Sequence, residues 1–127
     1  MKLFDATLGK LETALDLRLE RQNLLASNVA NADTPGFVAQ DIDFNKAMAQ
    51  AEANSEMLAS SEVGGQHLAV SSEPMAEPTR AGFDGNRVDA DQAMVALAEN
   101  GIQYGANAQA ASKKLAILLY AASDGTT

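Results

Sequence analysis

The amino-acid sequence predicts a mainly α-helical protein whose N- and C-terminal helices pair as a coiled-coil-like hairpin. Two observations support this fold class. An apolar stripe with helical spacing runs along each end of the chain. Between the stripes, only eight of the 42 residues from 46 to 87 are Val, Ile, Leu, Met, Phe or Tyr. Such a middle segment buries too little apolar surface to offset its ordering entropy alone, so it is predicted to be poorly structured.

The N-terminal segment, residues 1–33, is predicted to form a helix over about residues 4–31. Its large apolar residues alternate spacings of three and four, with polar interruptions at Arg18 and Gln22. No proline occurs before Pro35, so nothing breaks the helix earlier. The apolar members of this stripe are Phe4, Leu8, Leu11, Leu15, Leu25 and Val29.

A turn and an extended segment are predicted over residues 34–45. Proline at position 35 suits the second residue of a β-turn, and Gly36 supplies the positive φ that a type II turn needs next. After the turn, apolar and acidic residues alternate from position 37 to 44, which predicts an extended segment with one buried face. Asp41 and Asp43 are expected on its outward face.

After the acidic, Ala- and Ser-rich middle of residues 46–87, the C-terminal segment 88–123 is predicted to be a second long helix. Asp89 or Asp91 can cap its N-terminus. Its stripe consists of Met94, Leu97, Gly101, Tyr104, Ala108, Ala111, Leu115, Leu118 and Ala122. The two stripes face each other either within one chain or across subunits. Glycine at 101 and 105 leaves a thin strip of backbone that allows close approach of another helix, so this is either a core helix of a small bundle or a helix with many neighbours.

Composition excludes several classes of function. A net charge of −8 disfavours binding to nucleic-acid phosphates. The absence of cysteine excludes disulfides and thiolate chemistry, and a single histidine excludes His-rich metal sites. No apolar run approaches the roughly 20 residues that span a bilayer, and the N-terminus lacks the apolar region of a cleaved signal peptide. We therefore expect no catalytic site, no metal and no cofactor.

Several isolated motifs have simpler explanations than a functional site. His67 follows two glycines and is expected to be a solvated loop residue. Residues 84–86 lack the ligands that would complete a calcium loop, so a turn is expected. The glycines at 101 and 105 have the spacing of a membrane dimer motif, but their neighbours are too polar for a bilayer. Asn28 and Asn31 either cap the helix backbone or bond to a neighbouring subunit.

The two patterned ends resemble a known family. Residues 24–37, LLASNVANADTPGF, are similar to the N-terminal signature of the flagellar rod, hook and hook-associated axial proteins. The continuation over residues 38–44, VAQDIDF, narrows the resemblance to the proximal proteins of the flagellar basal-body rod family. The C-terminal run VDADQAMVALAEN, residues 88–100, and Tyr104 resemble the same family.

The resemblance implies a structural subunit of the bacterial flagellar basal-body rod, and no enzyme. It implies helical polymerisation with copies of the same chain and with other rod proteins into a hollow drive shaft. It further implies contact with the basal-body adaptor protein, the membrane ring and the export gate at the rod base. Its location would be the periplasmic rod, reached by flagellar type III export without a cleaved signal peptide.

The sequence predicts two sets of functional residues. The predicted subunit-packing set is Leu8, Leu11, Leu15, Leu25, Val29, Met94, Leu97, Tyr104, Leu115 and Leu118. The predicted family motif with its turn is Asn28, Asn31, Asp33, Thr34, Pro35, Gly36 and Phe37. The alternative function is a helical adaptor or export chaperone that binds a partner helix through the same stripes.

Overall fold

Three helices and a two-stranded sheet make up the described part of the chain, which covers residues 6–59, 73–74 and 89–123 of a computed structural model. The elements are α1 (Ala6–Ala30), β1 (Gln40–Asp41), α2 (Phe44–Ala59), β2 (Glu73–Pro74) and α3 (Ala90–Ala122). The prediction of a mainly helical protein with paired terminal helices is confirmed.

Helices α1 and α3 pack side by side and run antiparallel. Gln22 of α1 contacts Asn100 of α3, whereas Arg18, one turn earlier, contacts both Asn100 and Gln103. Lower residue numbers on α1 therefore meet higher residue numbers on α3. Because α3 has 33 residues and α1 has 25, α3 is longer by about 12 Å at a helical rise of ~1.5 Å per residue.

The end of α1 leads into the predicted turn. The amide of Phe37 donates to the carbonyl of Thr34 at 3.2 Å, which closes a four-residue turn around Pro35 and Gly36. Gly36 has φ of 78°, the value that a type II turn requires at its third residue. The predicted turn is confirmed.

A second layer forms on another side of α1, where α2 packs. Its buried centre is Leu17, Ile42 and Ala47, with Leu24, Phe44 and Met48 packed against it. Asp43 caps α2, since its carboxylate accepts a hydrogen bond from the amide of Lys46 at 3.1 Å.

Helix α2 corrects the prediction of a poorly structured middle over residues 46–59. Its sequence is rich in alanine and poor in large apolar residues, so the sequence alone did not indicate a helix. Packing against α1 supplies the burial that this segment cannot provide alone. Of the middle segment 46–87, the structure describes only residues 46–59 and β2.

The expectation that Asp41 lies on an outward face is wrong. Its carboxylate contacts Arg21 of α1 and its side chain is only 21% exposed. The alternating pattern indicates the wrong face because the segment passes directly beside α1. The side chain of Asp41 is turned toward this helix, where it pairs with the guanidinium of Arg21. The regular strand is also short: β1 and β2 are antiparallel, with Gln40 opposite Pro74 and Asp41 opposite Glu73.

Helix α3 begins at a capped terminus, as the sequence indicates. The carboxylate of Asp89 accepts hydrogen bonds from the amides of Asp91 and Gln92 at 3.0 and 3.1 Å. Asp91 lies in the first turn, where a negative charge complements the helix dipole. Of the helices that the structure describes, none is both long enough and apolar enough to cross a membrane.

Candidate subunit-packing site

The segment after the turn is fastened to α1 by the side chain of Asn28. Its amide nitrogen donates to the carbonyl of Gln40 at 2.7 Å, and its amide oxygen accepts from the amide of Gln40 at 3.0 Å. Asn28 is almost completely buried. It therefore serves one edge of β1 as a neighbouring strand would, because it satisfies both backbone groups of Gln40.

An ion pair reinforces the same junction. Arg21 donates from Nε and one terminal nitrogen to the two carboxylate oxygens of Asp41, at 2.6 and 2.7 Å. This paired geometry is the strongest form of an arginine–carboxylate contact. The hydrogen bond to Asp41 raises the pKa of Arg21, partial burial opposes the shift, and the negative charge of Asp41 adds to it. We call Asn28, Gln40, Arg21 and Asp41 the clamp.

A polar cluster lies at the centre of the seam between α1 and α3. Asn100 is completely buried and donates from its amide nitrogen to the carbonyl of Arg18 at 2.9 Å and to Oε1 of Gln22 at 2.6 Å. A terminal nitrogen of Arg18 donates to Oε1 of Gln103. The two polar interruptions of the N-terminal stripe therefore meet polar residues of α3.

Arg18 is a buried cation without an ion pair among the described residues. Its guanidinium lies over the ring of Phe44, 3.9 Å from the ring centroid, which offers a cation–π contact. Burial lowers the pKa of Arg18, the neighbouring charge of Arg21 lowers it further, and Glu99 acts in the opposite direction. The cluster therefore joins α1, α2 and α3 at one point.

The structure places the predicted subunit-packing residues in three environments. Leu25 is completely buried within the chain. Six are half-buried, namely Leu8, Leu11, Leu15, Val29, Leu97 and Leu118. Three are exposed on α3, namely Met94, Tyr104 and Leu115. The exposed residues contribute least to the folding of this chain, and their role in subunit packing stays a prediction.

Sequence reasoning missed five further exposed apolar side chains on α3: Val95, Ile102, Ile117, Leu119 and Tyr120. They lie outside the single stripe that the heptad spacing selects. The signal that could have found them is the wide distribution of large apolar residues around this helix, which is typical of a helix covered on several sides. In the described chain, by contrast, α3 is covered mainly along its contact with α1.

The surface of α3 beside Gly101 and Gly105 is also uncovered by neighbouring atoms of the described residues. A Cβ atom added at Gly101 or at Gly105 would meet nothing within 4 Å. Within the described part of the chain, no atom fills the side-chain space beside either glycine.

The motif residues cluster at the end of α1. Asp33, Thr34, Pro35 and Gly36 are exposed, and Phe37 is half-buried. Asn31 donates to the carbonyl of Ser27 at 2.9 Å, a contact of the backbone-capping kind, and its bond to a neighbouring subunit stays a prediction. Asn28 bonds instead to the backbone of Gln40 within the same chain, as part of the clamp.

Nothing in the described residues suggests catalysis. Among residues 6–59, 73–74 and 89–123, no group of three or more His, Asp or Glu side chains is placed to hold a metal ion. His67 and residues 84–86 lie outside the described residues. The features available for contact with other proteins are the exposed apolar side chains of α3 and the exposed turn after α1.

Comparison with known proteins gives consistent matches. A family model described as flagella basal body rod protein matches residues 11–37, which include the end of α1 and the turn. Flagellar basal body rod protein FlgB of Escherichia coli K12 is 39% identical over 111 residues, covering 79% of this chain and 80% of the relative. FlgB of Yersinia enterocolitica is 37% identical, covering 79% and 81%. FlgB of Aeromonas hydrophila is 32% identical over 127 residues, covering 93% of both chains.

Proposed function

The chain belongs to the flagellar basal body rod protein family, and on that premise we propose how it packs in the rod. It is a structural subunit of the proximal rod of the flagellar basal body, not an enzyme, and it assembles with other rod proteins. Membership of this family favours the rod-subunit interpretation over the adaptor or chaperone alternative.

Our proposal is that α3 carries the principal packing surface, and the observation behind it is the apolar exposure of this helix. Ile102 is 74% exposed and Leu119 is 73% exposed. Eight large apolar side chains are exposed on this one helix, four of them within residues 115–120, and such a concentration of exposed apolar side chains marks a protein–protein contact. We assign the packing surface to Met94, Val95, Ile102, Tyr104, Leu115, Ile117, Leu119 and Tyr120.

In this proposal, the half-buried residues of the predicted subunit-packing set extend this surface. Leu8, Leu11, Leu15 and Val29 of α1, with Leu97 and Leu118 of α3, each keep part of their side chain accessible. A neighbouring helix that lies beside the hairpin would complete their burial. Gly101 and Gly105 would let such a helix approach closely, since small residues reduce the distance between helix axes.

A contact of this kind joins different faces of successive subunits. When such a head-to-tail contact does not close into a ring, it produces a helical polymer. We propose that copies of this chain and other rod proteins stack in this way to form a hollow shaft. The exposed turn at Asp33, Thr34, Pro35 and Gly36 would set where the chain leaves the helical pair in every copy.

At the base of the rod, we propose contacts with the basal-body adaptor protein, the membrane ring and the export gate, and a periplasmic location reached by type III export. The support is the family resemblance together with a small core. Among the apolar residues described, Leu17, Leu25 and Ile42 are the large side chains that are buried, and the other buried ones are alanines. A chain with so little fully buried apolar volume unfolds at low cost, which suits passage through a narrow export channel.

A substitution at Ile102 tests the packing surface. Ile102→Asp places a charge at an exposed site, so the unfolding free energy of the free chain should change by less than about 0.5 kcal/mol. In the rod, the same carboxylate would be buried without a partner, so incorporation into basal bodies and swimming should be lost. Motility and protein content of isolated basal bodies are measured in a strain without its own copy of the gene.

The matched control is Ile102→Leu, which retains an apolar side chain at the same position and should restore swimming. Wild-type swimming with Ile102→Asp would refute α3 as the packing surface. A strong loss of stability in the free chain would mean that Ile102 supports folding and not assembly.

A further inference from the structure

The polar cluster in the seam costs stability, as well as joining the helices. Nε of Arg18 and Oδ1 of Asn100 are buried without a hydrogen-bond partner among the residues that the structure describes. Replacing buried charged and polar groups of this kind by apolar residues of similar size is often neutral or stabilising. Stability therefore does not explain why four polar side chains lie at the centre of the hairpin.

The alignment of the two helices is the property that the cluster does define. The stripe of α1 repeats at heptad spacing, so a slide of α3 by seven residues presents an almost equivalent apolar surface. In the observed alignment Asn100 lies between Arg18 and Gln22. A slide of one heptad in one direction would instead place Asn100 opposite Leu11 and Leu15.

The opposite slide places Asn100 opposite Leu25 and Val29. Asn107 would then take the place beside Arg18 and Gln22, but Gln103 would be replaced by Ala110, which offers no side-chain acceptor for the guanidinium. Either slide therefore leaves the Asn100 amide among apolar side chains without its partners, which is the costly arrangement for a buried polar group.

We propose that Arg18, Gln22, Asn100 and Gln103 form a register lock, which fixes the axial alignment of α1 and α3. A buried polar residue in a helical seam is known to specify register at some cost in stability. With the register fixed, each copy of the chain presents the turn after α1 and the exposed surface of α3 at the same relative height.

Distance measurement between spin labels tests the lock. The chain contains no cysteine, so single cysteines introduced at the exposed positions Ala26 and Ala110 accept nitroxide labels without competing sites. A slide of one heptad moves the labels by about 10 Å along the helix axis. The wild-type seam should give one narrow distance population by pulsed electron paramagnetic resonance.

The variant Asn100→Leu should give a second population displaced by about 10 Å. The control Asn107→Leu makes the same substitution one heptad further along α3, at a half-buried asparagine outside the cluster. It should keep the single wild-type distance.

If Asn100→Leu loses its helical circular dichroism, the distance measurement uses the triple variant Arg18→Met/Gln22→Leu/Asn100→Leu. This variant removes the buried charge of Arg18 and the side-chain amides of Gln22 and Asn100 together. We expect it to be at least as stable as the wild type and to show two distances. One distance in the folded variants, or two in the wild type, would overturn the proposal.

Discussion

Gly36 shows most clearly how one residue determines the path of the chain. Its φ of 78° lies in the left-handed region, while the space around it is open, with nothing within 4 Å of an added Cβ. The requirement for glycine therefore arises from backbone conformation and not from crowding. The turn redirects the chain so that Gln40 reaches Asn28.

Substitution of Gly36 by a β-branched residue should strain the turn. We expect Gly36→Val to lower the free energy of unfolding by about 1–2 kcal/mol. Gly36→Asn should cost less, because asparagine tolerates positive φ, and Pro35→Ala should also be milder because it loses only preorganisation. Denaturant unfolding of the three variants measures the difference. Equal midpoints for Gly36→Val and Gly36→Asn would rule out strain at this turn.

At the scale of elements, the clamp connects β1 to α1 by two different means. Asn28 satisfies the backbone of Gln40, and Arg21 neutralises Asp41. Ile42, directly after β1, is then held in the small core with Leu17 and Ala47. The position of α2 thus depends on the clamp, since α2 begins two residues after Ile42.

A double-mutant cycle on Arg21→Met and Asp41→Asn should reveal an interaction free energy of about 1–2 kcal/mol, because the two-point ion pair is largely shielded from water. The comparison pair is Lys10 and Glu52, which join α1 to α2 at 3.0 Å but have side chains 60% and 47% exposed. Its cycle should give about 0–0.5 kcal/mol. Unfolding by urea measures both cycles, and comparable coupling energies would contradict the structural role of the clamp.

The described part of the molecule is an antiparallel pair of helices, α1 and α3, with α2 packed against α1 and eight large apolar side chains exposed on α3. The buried apolar residues lie mainly on α1 and its neighbours, and Ala93 is the one apolar residue of α3 in the buried class. The final turns of α3 carry Leu115, Ile117, Leu119 and Tyr120, all exposed. This distribution suits a subunit whose burial is completed by assembly with other rod proteins.

Local stability should follow this distribution. In the free chain, hydrogen exchange should be slowest near Leu25 and Asn100, where burial is complete, and fastest over residues 117–122. After assembly into basal bodies, residues 117–122 should gain protection, because neighbouring subunits cover them. Mass-spectrometric exchange on both samples makes the comparison. Uniform protection along α3 in the free chain would contradict this account.

The sequence by itself determined the features that depend on local chemistry. Apolar spacing predicts the terminal helices, Asp89 predicts the start of α3, and the Pro35-Gly36 pair predicts the turn. The resemblance of residues 24–44 to rod proteins indicates the family. These signals can be read without the fold, because each depends on residues that are neighbours along the chain.

Tertiary structure alone decided which faces of the helices meet. The heptad pattern on α3 selects Met94 and Tyr104, yet the buried positions of this helix are Ala93 and Asn100. The partners of Asn100, Arg18 and Gln22, lie far away in sequence. The inward turn of Asp41 depends on the distant Arg21, and α2 forms because α1 offers Leu17 and Leu24. Contacts between residues so distant in sequence arise from packing, which local periodicity does not encode.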